Sequence, residues 1–142
     1  MTTETAVAVR YPETDPMGIV HHAVYPLWYE MGRMDWCAAA GIPFTRMRSL
    51  GINPTMVSLS LTYLAPVTYP DSVTVRTWCK AFGPRKLELA YEAVRSDGTP
   101  VNRAVTFHVW TGPDNKTLDL SKACPELYAA FRAAVGAENE TL

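Results

Sequence analysis

At 142 residues, 48% of them hydrophobic, the chain has the length of one domain (1–142) and enough apolar side chain for a substantial core. Its 13 basic and 14 acidic residues leave a formal charge of −1, which excludes the global field that nucleic-acid and anionic-membrane binders use. The opening Met-Thr-Thr-Glu-Thr has no basic stretch followed by an apolar one, and no window nears the ~18 apolar residues that cross a bilayer, so a soluble, cytoplasmic protein is expected.

Residues Ala6 to Tyr11 alternate, with Val7, Val9 and Tyr11 on one side, and predict a first strand that Pro12 ends. After an Asp15-Pro-Met-Gly turn, Val24, Leu27, Trp28, Met31, Met34 and Ala38 recur with a 3.6-residue rhythm and predict a helix over Val24 to Ala40. Pro26 is compatible with it, because a first-turn proline removes only an N–H that has no intrahelical partner. Gly41 and Pro43 stop the helix. Four strands are then expected: Met56 to Leu64, Ser72 to Phe82, Arg85 to Ser96 and Val101 to Trp110. In the first, Val57, Leu59, Leu61 and Tyr63 oppose Ser58, Ser60 and Thr62; in the last, Val101, Arg103, Val105, Phe107 and Val109 oppose Asn102, Thr106 and His108. Gly83-Pro84 and Ser96-Asp97-Gly98 supply hairpin chemistry, so the sheet is read as mostly antiparallel. A last helix, Pro125 to Val135, puts Leu127, Phe131 and Val135 on one stripe. The sum is an α+β domain whose sheet packs on the long helix.

Chemistry concentrates in Asp15-Pro-Met-Gly-Ile-Val-His-His-Ala-Val-Tyr25, where a lone carboxylate precedes a turn and the N–H-rich start of a helix. Asp15 reads equally as a turn or cap residue accepting backbone hydrogen bonds. His21 and His22, as neighbours on a helix, would point about 100° apart, and only His108 offers a third imidazole, so no metal is expected. His21 is assigned to the surface or a pocket wall, and His108, opposite the apolar side of its strand, to solvent. Cys37, Cys79 and Cys124 are odd in number and far apart, and read as buried reduced thiols. No Gly-x-Ser-x-Gly elbow and no glycine-rich phosphate loop is present, so neither a serine triad nor a nucleotide cofactor is indicated. Tyr25, Trp28, Tyr29 and Tyr63 suit either a pocket wall or the core, and Glu30 and Arg33 a local ion pair.

The stretch from Arg10-Tyr-Pro-Glu-Thr-Asp15 through Trp28-Tyr-Glu-Met-Gly-Arg33 resembles the signature of the 4-hydroxybenzoyl-CoA thioesterase family, within the hot-dog-fold acyl-CoA thioesterases. Leu61-Thr-Tyr-Leu-Ala-Pro66 with Asp71, and Pro125-Glu-Leu, extend the likeness loosely over most of the chain; Val24 departs from it, standing where relatives often carry Asn. The resemblance implies a hot-dog fold, with a curved sheet around a central helix. It implies Asp15 as nucleophile or general base, the His22 N–H as oxyanion donor with the His22 side chain orienting the carbonyl or Asp15, and Gly18 allowing close approach. Tyr25, Trp28 and Tyr63 would line an acyl pocket, and Arg85 and Lys86 would meet the phosphates of coenzyme A or simply form a solvated hairpin pair. The substrate would be an aromatic or short- to medium-chain acyl-CoA, with coenzyme A as part of the substrate and no separate cofactor. Self-association as dimer or tetramer is implied, with sites between subunits and Tyr63-Leu64 near the interface. An acyl-carrier-protein thioesterase and a non-catalytic acyl-CoA-binding domain are the alternatives.

Overall fold

The structure is a computed structural model that describes residues 1–136. Five strands form one sheet: β1 (Thr2–Ala8), β2 (Asn53–Tyr63), β3 (Ser72–Phe82), β4 (Lys86–Arg95) and β5 (Pro100–Thr111). Their order is β1-β3-β4-β5-β2 and every pairing is antiparallel. Turns at 83–85 and 96–99 join the β3-β4-β5 meander, as the Gly-Pro and Ser-Asp-Gly signals predict. The helices are α1 (Tyr25–Ala39), α2 (Phe44–Ser49), α3 (Leu120–Ala123) and α4 (Pro125–Val135).

The long helix α1 lies directly on the sheet. A Cβ built at Gly32 would stand 2.5 Å from Thr77 Oγ1 and 2.9 Å from Val75 Cγ1, so the backbone itself touches β3 there. The buried stripe of α1 is Tyr25, Trp28, Tyr29, Gly32, Trp36 and Cys37. This corrects the rhythm read from sequence: of those residues Trp28 is buried, whereas Leu27, Met31 and Met34 are exposed on the opposite side. Flat rings and a glycine, rather than aliphatic side chains, let the helix approach the sheet. At the far end α4 closes the core as its stripe predicts, with Phe131 between Trp36, Phe82 and Trp110 at ring separations of 6.1, 5.6 and 5.0 Å.

The first strand is displaced from its expected place. It runs from Thr2 to Ala8 because β3, its partner, ends opposite Ala8 at Ser72; Tyr11 instead joins a single 3₁₀ turn with Pro12 and Glu13. The strand β2 starts at Asn53, before the expected Met56, and contains Pro54, which an edge strand tolerates. Neither α2 nor α3 is foreseen from the sequence, both being too short to show a period.

The largest correction concerns β5, whose two faces are inverted. Asn102, Ala104, Thr106, His108 and Trp110 are buried on the face covered by α1, while Val105, Phe107 and Val109 are half-buried on the other. His108, expected in solvent, is fully buried. Its Nδ1 lies 3.1 Å from the Pro54 carbonyl and its Nε2 2.8 Å from Thr106 Oγ1, which in turn is 3.0 Å from the Tyr91 hydroxyl. Tyr29 donates to Asn102 Oδ1 at 2.6 Å beside them. A polar face is buried here because its members bond one another, which removes most of the cost of leaving water. Burial, reinforced by the Arg33 cation, lowers the His108 pKa to about 4, so the ring is neutral. Cys37 and Cys79 are buried thiols, each pushed up to about 12 by desolvation, and Cys124 is half-buried.

Candidate active site

The approach to α1 is a loop held from below by Glu13. Its buried carboxylate accepts the Arg10 N–H at 2.8 Å through Oε2, and the Arg10 guanidinium and Trp28 Nε1–H through Oε1 at 3.1 and 3.4 Å. The Glu13 carbonyl accepts the His21 N–H at 2.8 Å, tying the two ends of the loop together. Between them Thr14 bridges Val20, the Asp15 N–H donates to the Ile19 carbonyl at 2.8 Å and the Gly18 N–H to the Asp15 carbonyl at 2.9 Å. Gly18 has φ +76°, a conformation that favours glycine, while a Cβ there would meet nothing within 4 Å. Turn geometry therefore accounts for this glycine within the chain itself.

Asp15 uses half of its carboxylate in this turn. Met17 N–H donates to Oδ1 at 2.8 Å, and among the described residues Oδ2 has no hydrogen-bond partner. The turn reading and the chemical reading are thus compatible, each served by a different oxygen. At the other side of the loop Ala23 N–H donates to His21 Nδ1 and Val24 N–H to the His21 carbonyl, both at 3.0 Å. The His22 N–H has no acceptor among the described residues, while the His22 carbonyl accepts the Tyr63 hydroxyl at 2.7 Å. The two imidazoles stack, with centroids 4.0 Å apart. Among the described residues no three His, Cys, Asp or Glu side chains converge as a metal site.

Asp15, Gly18's neighbours Met17 and Ile19, His22, Tyr25 and Tyr63 line one cleft of about 440 Å³, walled on its far side by Leu64, Ala65 and Pro66. Tyr25 is 3% exposed, edge-on to the Tyr63 ring at 5.6 Å, and its hydroxyl pKa is raised by burial first and by Tyr63 second. It stays a neutral phenol. Trp28 does not line this cleft. It stands behind Tyr25, ring centroids 5.1 Å apart, and faces a separate groove bounded by β1 and Met31.

Arg85 and Lys86 are also apart from the cleft within one subunit. Lys86 pairs with Val109, whereas Tyr63 pairs with Asn102 at the other end of β5, seven residues or roughly 24 Å away. Arg85 lies 3.9 Å from Asp119, and the Lys86 ammonium sits 5.7 Å from the Phe107 ring centre. Two residues that support the site escaped the sequence reading. One is Glu13, described above. The other is Arg95, whose guanidinium donates to the Pro66 carbonyl at 2.9 Å and to Asp97 Oδ2 at 2.7 Å, bracing the cleft wall. Arg95 holds the Asp97 carboxyl well below the usual carboxylate range. Its signal in the sequence was the Ser96-Asp97-Gly98 turn, which marks a hairpin without revealing what the hairpin braces.

Residues 17–101 match a family model described as the thioesterase superfamily. The chain is 30% identical over 129 residues to "Putative acyl-CoA thioesterase YneP" of Bacillus subtilis (strain 168), covering 90% of this chain and 94% of that protein. Among solved structures it is similar to a DHNA-CoA thioesterase from Staphylococcus aureus, with TM-score 0.90 and 26% identity over 99% of this chain and 97% of that one. A hypothetical protein from Thermus thermophilus matches with TM-score 0.85 and 31% identity, over 96% and 98% of the two chains. An antiparallel sheet wrapped on one long helix is the hot-dog architecture, and with these matches the chain belongs to the thioesterase superfamily, as a thioester hydrolase.

Proposed function

We propose that the protein hydrolyses an acyl-CoA thioester, aromatic or short- to medium-chain, in the cleft beside Asp15. The observation that carries this reading is the pairing of two unengaged groups on one loop: Asp15 Oδ2 and the His22 N–H. A thioester oxygen gains negative charge as its carbon is attacked, so a fixed N–H donor stabilises the transition state more than the ground state. Asp15 acts either by attacking the carbonyl carbon, giving a mixed anhydride that water then opens, or by taking a proton from the attacking water. The departing thiolate of coenzyme A is stable enough near neutral pH to leave without a dedicated acid. The acyl-CoA descriptions of the relatives support the coenzyme A half of the substrate. Tyr25, the aliphatic wall and Tyr63 give the acyl half a surface suited to a ring or a modest chain.

We further propose a dimer through β2, the exposed edge next to β5. Thr55 pairs with Val109, so the Asn53 end of β2 lies at the same end of the sheet as Lys86. Antiparallel pairing of two β2 edges brings the Tyr63 end of one subunit toward the Asn53 end of its partner, and with it the partner's basic turn. Arg85 and Lys86 then serve coenzyme A phosphates across the interface. The test is thiol release from a panel of acyl-CoA and acyl-carrier-protein thioesters by wild type and Asp15→Asn. Turnover of acyl-CoA that the substitution abolishes supports the reading; a preference for the carrier protein would replace the substrate, and acyl-CoA binding without turnover would make this a binding domain.

A further inference from the structure

We infer that Tyr63 is a positioning residue whose hydroxyl, bonded to the His22 carbonyl, fixes the direction of the His22 N–H toward the thioester oxygen. The inference rests on the proposed hydrolysis in this cleft and adds to it the device that holds the donor.

The His22 N–H belongs to the peptide between residues 21 and 22, and the planes on both sides of His22 are held. The first is pinned by Val24 N–H on the His21 carbonyl at 3.0 Å, and His21 itself by its N–H on the Glu13 carbonyl at 2.8 Å. The second plane, between His22 and Ala23, is held on its N–H side by His21 Nδ1 at 3.0 Å and on its carbonyl side by Tyr63 alone. With φ and ψ of His22 both constrained, the one N–H left unpaired in this stretch has a single direction. Donors fixed before the reaction need no reorganisation as charge develops, which is where their advantage over water lies.

Tyr63 is suited to this task rather than to gripping the substrate with its hydroxyl. A phenol has one proton, and this one is donated to the His22 carbonyl, so toward a ligand the oxygen can only accept. The bond joins the last residue of an edge strand to the loop before α1 across 41 positions of sequence, and among the described residues no other hydrogen bond links β2 to this loop. The ring is 50% exposed and leans edge-on against Tyr25, so removing the hydroxyl leaves the packing in place.

The experiment is Tyr63→Phe in the full-length protein, with three readouts. Acyl-CoA turnover should fall about tenfold in kcat with KM within about twofold, the signature of a group acting in the transition state. A coenzyme A trifluoromethyl ketone, whose tetrahedral hydrate or adduct mimics the oxyanion, should bind about tenfold more weakly, while a thioether analogue without a carbonyl binds as to wild type. In the ligand-free protein, the ¹⁵N signal of the His22 amide should shift and its order parameter should fall relative to wild type. Equal weakening of both analogues would make Tyr63 a wall residue, and an unchanged kcat or an unchanged His22 amide would remove the positioning role. Wild type and Asp15→Asn run in parallel separate the ideas: if wild type releases no thiol the hydrolytic reading fails, and if the variant still turns over Asp15 leaves the mechanism, whereas the His22 amide answers for Tyr63 without any turnover.

Discussion

The polar layer under α1 and the loop that opens α1 use the same kinds of group to opposite ends. Beneath the helix, Tyr29, Tyr91, Asn102, Thr106 and His108 are buried and bond one another, with Asn102 Nδ2 and Thr77 Oγ1 left as the exceptions. Along the loop, each residue makes enough hydrogen bonds to define its position and then leaves one group free: Oδ2 of Asp15, the N–H of His22. Saturated polar groups specify packing, and a group that is fixed but unpaired is the one able to act on a substrate. Substitutions in the first region should therefore change stability, and those in the second turnover.

The sharpest test of that division is Asp15→Asn. The amide keeps an oxygen to accept the Met17 N–H, so the turn persists, but it can act neither as base nor as nucleophile. We expect kcat to drop at least ~10²-fold with an unchanged melting temperature. Comparable turnover by the folded variant would take Asp15 out of the mechanism.

The opposite result is expected beneath the helix, where His108 should set an acid limit on stability. Its pKa is lowered from 6.5 to about 4 in the fold, so above pH 6.5 the ring is neutral in both folded and unfolded chains and has no effect on the balance. As pH falls from about 6.5 to 4 the unfolded chain takes up a proton that the folded one refuses, and stability declines, by on the order of 3 kcal/mol. Denaturant melts across that window should show the slope, and His108→Gln should flatten it. A pH-independent midpoint in wild type would mean that the ring is charged or solvated.

Gly32→Ala probes the same region through shape alone. The added methyl would meet Thr77 Oγ1 at 2.5 Å, and the overpacking should cost about 1–3 kcal/mol despite the gain in helix propensity. Its kcat at low temperature should stay near wild type. A more stable variant would show that α1 can lift from β3.

These two regions also differ in how far the sequence revealed them. The loop was legible, because Asp before Pro, a glycine at a turn and a helix start are local chemistry written in consecutive residues. Strand positions in the β3-β4-β5 meander were legible for the same reason, through their hairpin turns. The faces of α1 and β5 were not. Apolar periodicity assigns Leu27, Met31, Val105 and Phe107 to the core, but which face is covered depends on pairs such as Tyr29 with Asn102, distant in sequence. A single chain also shows its apolar outer face uncovered, so hydrophobicity alone does not distinguish a core from a surface that meets another subunit. Arg85 and Lys86 illustrate the limit: their chemistry was readable, their distance from the cleft was not.

That pair gives the smallest expected effect and the one that tests the assembly. With Arg85 and Lys86 roughly 24 Å along the sheet from their own cleft, the proposed role in binding coenzyme A has the partner subunit present them. Replacing both with Ala should raise KM for acyl-CoA several-fold, leave kcat near wild type and spare a truncated thioester that lacks the nucleotide, since phosphate contacts bind ground and transition state alike. The increase should shrink as salt screens the exposed charges. Light scattering completes the argument: at micromolar concentration the mass should be that of a dimer or a larger assembly. A fully active monomer, or equal loss on both substrates, would return Arg85 to its contact with Asp119 and Lys86 to the Phe107 ring, as surface residues with no part in binding.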